Sequence, residues 1–93
     1  MMNNKATRAE VYAVIDGERD YQDCLPSWRT DGSAHSVGDY ITMLESYQHK
    51  LVEAWTDNPG NEAALDVMRK IAAIAIHCME DHGVIARNAL EDK

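Results

Sequence analysis

The sequence predicts an all-α fold: a short N-terminal helix followed by a long antiparallel two-helix hairpin, in a single domain over residues 1–93. Three observations predict it. Apolar residues recur at spacings of three and four over three separate stretches, which is the period of one helix face. A small polar residue followed by an acid precedes each stretch, as at a helix start. The turn Asn58-Pro59-Gly60-Asn61 is short enough to fold the last two stretches back on one another.

The first helix is expected over about residues 7–24. Thr7 with Glu10 three residues on makes a capping box. Val11, Val14, Ile15 and Tyr21 fall toward one side, and Asp16, Glu18, Arg19, Asp20 and Asp23 are polar. Gly17 weakens the helix locally, and Pro26 ends it because the residue before proline avoids helical dihedrals. Residues 25–36 form a long loop. Its Trp28, Arg29 and His35 make it either a ligand-bearing element or, through Trp28, a hydrophobic plug over the helix ends.

The second helix, about 37–57, starts on Ser36 with Asp39 in its first turn. Val37, Tyr40, Ile41, Leu44, Tyr47, Leu51, Ala54 and Trp55 form its apolar side, opposite Thr42, Glu45, Ser46, His49 and Glu53. After the turn at 58–61, Asn61 is expected to cap the third helix, about 62–82, with Gly83 ending it and residues 83–93 as a tail. The third helix reads IAAIAIHCM from Ile71 to Met79. Ile71, Ala75, Cys78 and Met79 share one side, while Ala73, Ile74 and Ile76 spread over the rest. Such a helix must be covered on more sides than one neighbour can cover. That predicts packing against other copies of the chain, with the alanines allowing close backbone approach.

Composition excludes several function classes. The formal net charge is -7 and the pI about 4.8, with no Lys/Arg cluster, so a DNA or RNA duplex is not expected as partner. A small anion needs only two or three cations, and Arg19, Arg29, Arg69 and Lys70 supply them. No apolar run approaches the roughly 20 residues that span a bilayer. The polar start and the isolated Cys24 and Cys78 predict a soluble cytoplasmic protein with no disulfide.

Chemistry of the catalytic kind is not legible. Cys78 with His82, Glu45 with His49, and His77 with Asp81 are each four apart, so each pair shares a helix face. A zinc site needs three or four ligands, and none of these pairs has a third, so no metal is expected. The glycine, serine and histidine motifs of nucleotide-binding and hydrolytic enzymes do not occur. Acid clusters on adjacent helices, as in all-α magnesium-dependent pyrophosphohydrolases, are missing because the third helix is alanine and isoleucine at its centre. Binding remains. Tyr12, Tyr21, Trp28, Tyr40, Tyr47 and Trp55 offer faces on which bases can stack. Arg69 and Lys70 precede the apolar run, where assembly would bring copies of Arg69 together around an anion. They equally suit ordinary helix-surface pairs with Asp66.

Three segments carry a resemblance: AVIDGERDYQD at 13–23, HSVGDYITMLESYQHKLVEAWTDNPGNEAALD at 35–66, and VMRKIAAIAIHCMEDHG at 67–83. They resemble small phage proteins of the anti-CBASS cyclic-nucleotide sponge family, whose helical-hairpin domain is shared with part of the anti-Thoeris sponges. The resemblance implies a homohexamer in the host bacterial cytoplasm. It would sequester cyclic di- or trinucleotide immune signals without cleaving them and so block CBASS-type immunity. It further implies that Tyr12 stacks on bases, Arg29 meets phosphates, and Arg69 lines a second, trinucleotide site. The full candidate ligand-binding set is Tyr12, Arg19, Arg29, Arg69, Lys70 and Ala73. Anti-Thoeris sponges usually carry an additional β-rich region that this chain is too short to hold, which favours the anti-CBASS branch. Two alternatives stand beside this: a structural or regulatory phage oligomer with no small ligand, and a sponge for a cyclic ADP-ribose-type Thoeris signal.

Overall fold

Local sequence sets the helix ends. In the computed structural model, which describes residues 5–25 and 35–89, α1 spans Arg8–Cys24, α2 Val37–Asp57 and α3 Glu62–His82. A 3-10 turn follows at Arg87–Ala89. Among the described residues the chain is all-helical, without a strand.

Two of the three starts are built as the sequence predicts. Thr7 accepts from the Glu10 amide while the Glu10 carboxylate accepts from the Thr7 amide, and Ser36 and Asp39 make the same reciprocal pair. The start of α3 differs. Asn61 occupies the cap position in helical dihedrals (φ -99°, ψ -15°) and its side chain makes no capping bond. The Asn58 side chain instead donates back to the Ala54 carbonyl at 3.0 Å, closing α2. At the other end of α3 the chain turns through Gly83 at φ 96°, whose amide donates to Met79. An L side chain rarely adopts that dihedral, which is why glycine stands there.

Helix α3 is the central element. Both α1 and α2 pack on it, and the backbones of α1 and α2 do not approach each other. The first turn of α2 meets the last turn of α3 through Tyr40 and Asp81. Residues 10–15 of α1 lie over residues 65–72 of α3, and Arg19 reaches Glu80 farther along. Trp28 and Arg29 lie outside the described residues.

The buried set is small and unusual. Tyr40, Ala73 and Ile74 are its apolar members, and Arg19, Gln22 and His77 its polar ones. The buried stripe of α3 is therefore Ala73–Ile74–His77, not the Ile71–Ala75–Cys78–Met79 side. Those four are half-buried or exposed, because α1 and α2 straddle the 73/74/77 stripe. Cys24 and Cys78 are both free thiols. No helix among the described residues is long and apolar enough to cross a membrane.

The three helices leave much apolar surface uncovered. Val11, Val14, Leu65 and Met68 are 43–60% exposed, as are Ile41, Val52 and Trp55 on α2. The Cα radius of gyration is 15.2 Å, against about 12 Å for a compact chain of this length. Ala73, by contrast, has no free space around it. Ala73→Leu is expected to overpack the α3 crossing and cost about 1–3 kcal/mol, seen as a lower urea midpoint; Ala72→Leu, at the open groove described below, should cost the isolated fold less.

Candidate functional site

The end of the molecule where all three helices converge is polar. Arg19 of α1 donates through Nε and Nη2 to both carboxylate oxygens of Glu80 on α3, at 2.7 and 2.9 Å. Its Nη1 donates to Asp23 at 3.0 Å and to Gln22 Oε1 at 3.4 Å. The Arg19 side chain is only 7% exposed. A buried guanidinium is tolerated only with its donors matched in this way. The carboxylate partners hold Arg19 well above its ordinary pKa, and Arg19 in turn holds Glu80 below the usual carboxylate value.

Tyr40 fills the space beside this ion pair. Its hydroxyl donates to Asp81, and its ring meets those of His35 (5.6 Å, edge-on), His77 (5.5 Å, tilted) and His82 (6.1 Å, edge-on). The His82 Nε2–H donates to the His35 carbonyl at 2.7 Å, tying the end of α3 to the residues before α2. Burial raises the Tyr40 pKa, with Asp81 contributing. Burial lowers that of His77, aided by nearby Arg19 and opposed by Asp81, Asp23 and Glu80. The His77–Asp81 spacing thus serves a packed polar cluster around an aromatic ring. Among the described residues no group of three or more His, Cys, Asp or Glu is placed to hold a metal.

Two concave regions lie farther along α1. An apolar groove of about 440 Å³ runs between α1 and α3. Val11, Val14 and Ile15 form one wall, Leu65, Met68 and Ala72 the other, with Glu10 and Arg69 among its lining residues. A smaller cleft of about 190 Å³ opens where α1 and α2 diverge over α3, lined by Glu18, Tyr21, Gln22, Leu25, Tyr47 and Lys70.

No known protein family, curated protein or solved structure matches the chain.

The candidate ligand residues are therefore judged by where the fold puts them. Tyr12 is 61% exposed on α1. Arg69 pairs with Glu18 at 2.8 Å and with Asp66 at 2.7 Å, and Lys70 shares Asp66 at 3.3 Å. Their proximity along α3 is thus real, and both lie partly open to solvent. Arg19 and Ala73 are different. Arg19 was expected as a phosphate partner, but its donors are taken by carboxylates in the interior. Ala73 is buried at the helix crossing and presents no surface in the single chain. Arg29 lies outside the described residues.

The polar cluster itself was not anticipated. Arg19 sits among acids in a stretch that reads as a solvated face, and Gln22 carries no periodic signal. The one available hint was the pairing of a tyrosine on the apolar side of α2 with a histidine inside the apolar run of α3. A buried aromatic hydroxyl and a buried imidazole both need polar partners, which an apolar interface cannot give.

His77 gives this cluster a pH dependence. Its folded pKa lies below the unfolded value of about 6.5, so the fold favours the neutral ring. Its contribution is complete above that value and is lost as pH falls below it, where the unfolded chain binds a proton the folded chain resists. Urea midpoints should therefore drop between pH 7.5 and 5.5. In His77→Gln that drop should shrink, with Glu80 and the two capping acids still ionised in this range.

Proposed function

We propose that this chain is a non-catalytic binding protein that assembles with copies of itself and sequesters a cyclic di- or trinucleotide. In this reading it is an anti-CBASS sponge of the phage family it resembles, acting in the host bacterial cytoplasm. The observation that carries the reading is the open apolar groove between α1 and α3, with Arg69 among its lining residues. Isolated soluble chains rarely leave contiguous apolar patches of this kind uncovered. Covering it with another copy, the α2–α3 pair acting as a rigid antiparallel hairpin, would place Tyr12 and Arg69 near a subunit boundary. A hexamer is the assembly the resemblance implies.

The nucleotide part rests on exposed Tyr12 for stacking and on Arg69 and Lys70 for phosphate. In the single chain both cations are paired with carboxylates. A phosphate must displace Asp66 or share its partners, and convergence of several Arg69 side chains would favour that exchange. The ion pairs also support a second reading: an oligomer with no small ligand, in which Arg69 simply braces α1 against α3.

Leu65→Asp with Met68→Asp should keep the helices but prevent assembly, giving a 10.4 kDa species by light scattering where the parent is larger. A monomeric parent at micromolar concentration would overturn the assembly. Incubated cyclic nucleotide should be recovered intact after heat denaturation; linear product above a protein-free control would replace the sponge with an enzyme.

Arg69→Ala is expected to weaken a cyclic trinucleotide far more than a cyclic dinucleotide, because one substitution removes a charged contact from every subunit around a symmetry axis. Each such hydrogen bond contributes roughly 1.5–3 kcal/mol. Tyr12→Ala should do the reverse. Calorimetric titration of both variants with both ligands checks this, and equal losses throughout would mean one shared site.

A further inference from the structure

The small cleft between α1 and α2 holds a donor and an acceptor that the chain itself leaves unused. Gln22 is 4% exposed. Its Oε1 faces Arg19 Nη1 at 3.4 Å, and its Nε2 is a donor with no acceptor among the described residues. The Glu18 side chain is 10% exposed, and its Oε1 accepts from Arg69. Its Oε2 has no donor among the described residues. Neither atom is sealed from solvent, and both side chains line the cleft, so a polar group entering it can replace water on them.

The other lining residues narrow what that is. Tyr21 and Tyr47 supply aromatic faces, and Lys70 an ammonium paired, among the described residues, with Asp66 at 3.3 Å. Lys50 Nζ lies 4.4 Å from the Tyr47 ring centroid and brings a second cation to the same neighbourhood. At about 190 Å³ the cleft is below the roughly 300–1,000 Å³ that encloses a whole drug-sized ligand. It suits a single ring system whose remainder stays outside.

We propose that this cleft is a guanine subsite: Glu18 accepts from the ring N–H and amino group of the base, Gln22 and Lys70 donate to its carbonyl oxygen, and Tyr21 stacks on its face. Guanine offers neighbouring N–H donors and a carbonyl acceptor on one edge. Adenine reverses that edge. It would set a ring-nitrogen lone pair against the Glu18 carboxylate and an amino group against the Gln22 and Lys70 donors. The subsite deepens the nucleotide-sequestering reading and rests on it only for the source of the base. It uses none of Tyr12, Arg29 or Ala73.

The test is calorimetric titration of the full-length protein with guanosine 5′-monophosphate and adenosine 5′-monophosphate, with cyclic di-AMP and cyclic di-GMP titrated in parallel. Guanosine monophosphate should bind about tenfold or more tightly than adenosine monophosphate. Tyr21→Ala and Lys70→Ala should each weaken it by about tenfold, the scale of one lost stacking or charged contact. Tyr21 is exposed, so its variant should melt like the parent. Glu18→Gln should abolish the preference; if it does not fold, the Tyr21 and Lys70 variants decide. Equal affinity for the two monophosphates, or full guanosine monophosphate binding by folded Tyr21→Ala, overturns the subsite. Binding of cyclic di-AMP alongside equal monophosphate affinities would sink the guanine subsite and leave sequestration standing. Guanosine monophosphate binding with neither cyclic di-AMP nor cyclic di-GMP bound would do the opposite.

Discussion

The Arg19 guanidinium, buried against Glu80, is the constraint around which the rest of the molecule is arranged. The backbones of α1 and α2 do not meet, so among the described residues α1 is placed chiefly by what it makes with α3. At its far end that hold is the paired hydrogen bond from Arg19 to Glu80, with Asp23 and Gln22 taking the third nitrogen. At mid-helix it is Arg69 to Glu18. Both are charge-assisted contacts with defined geometry, which set register more than they supply net stability. Beside Arg19, Tyr40 fills the junction and ties α2 into the same cluster through Asp81.

A junction held by polar contacts has a consequence for the remainder of α1. Its apolar residues do not close over α3. Val11 and Val14 stay exposed across from Leu65 and Met68, with a groove between them. The polar clamp at one end and the open apolar groove at the other divide the molecule. One end is closed by its own ion pairs; the other leaves apolar surface uncovered. Likewise, the divergence of α1 from α2 creates the cleft in which Gln22 and Glu18 keep one polar atom each available. The residues that hold α1 in place thereby also shape the two concave regions where binding can occur.

The acidic balance of the chain fits this division. Arg19, Arg69 and Lys70 each sit beside carboxylates that lower the cost of bringing cations together. An anion entering near Arg69 or Lys70 would meet a neutralised pair rather than a bare charge. Affinity would then depend on how many such pairs an assembly brings to one place. In the proposed sponge, discrimination would come from multiplicity and base contacts rather than from a single strong cationic pocket.

The sequence by itself determined the helices. Thr7 with Glu10 and Ser36 with Asp39 are local capping contacts, and Gly83 is a local dihedral requirement, so each could be read three or four residues at a time. Asn61 failed the same reading because its backbone enters the helix in helical dihedrals, which local residue type does not reveal. Tertiary structure alone decided which face of α3 is buried. Ala73, Ile74 and His77 are buried rather than Ile71, Ala75, Cys78 and Met79 because α1 and α2 approach from particular directions, and the run from Ile71 to Ile76 is apolar on every side and does not record them. It alone decided that Arg19 is interior, since its acceptor Glu80 is 61 residues away. It alone brought Glu18, Gln22, Tyr47 and Lys70 to one cleft. Capping depends on neighbours in the chain, whereas pairing a buried charge depends on neighbours in space, and a single sequence records only the first directly.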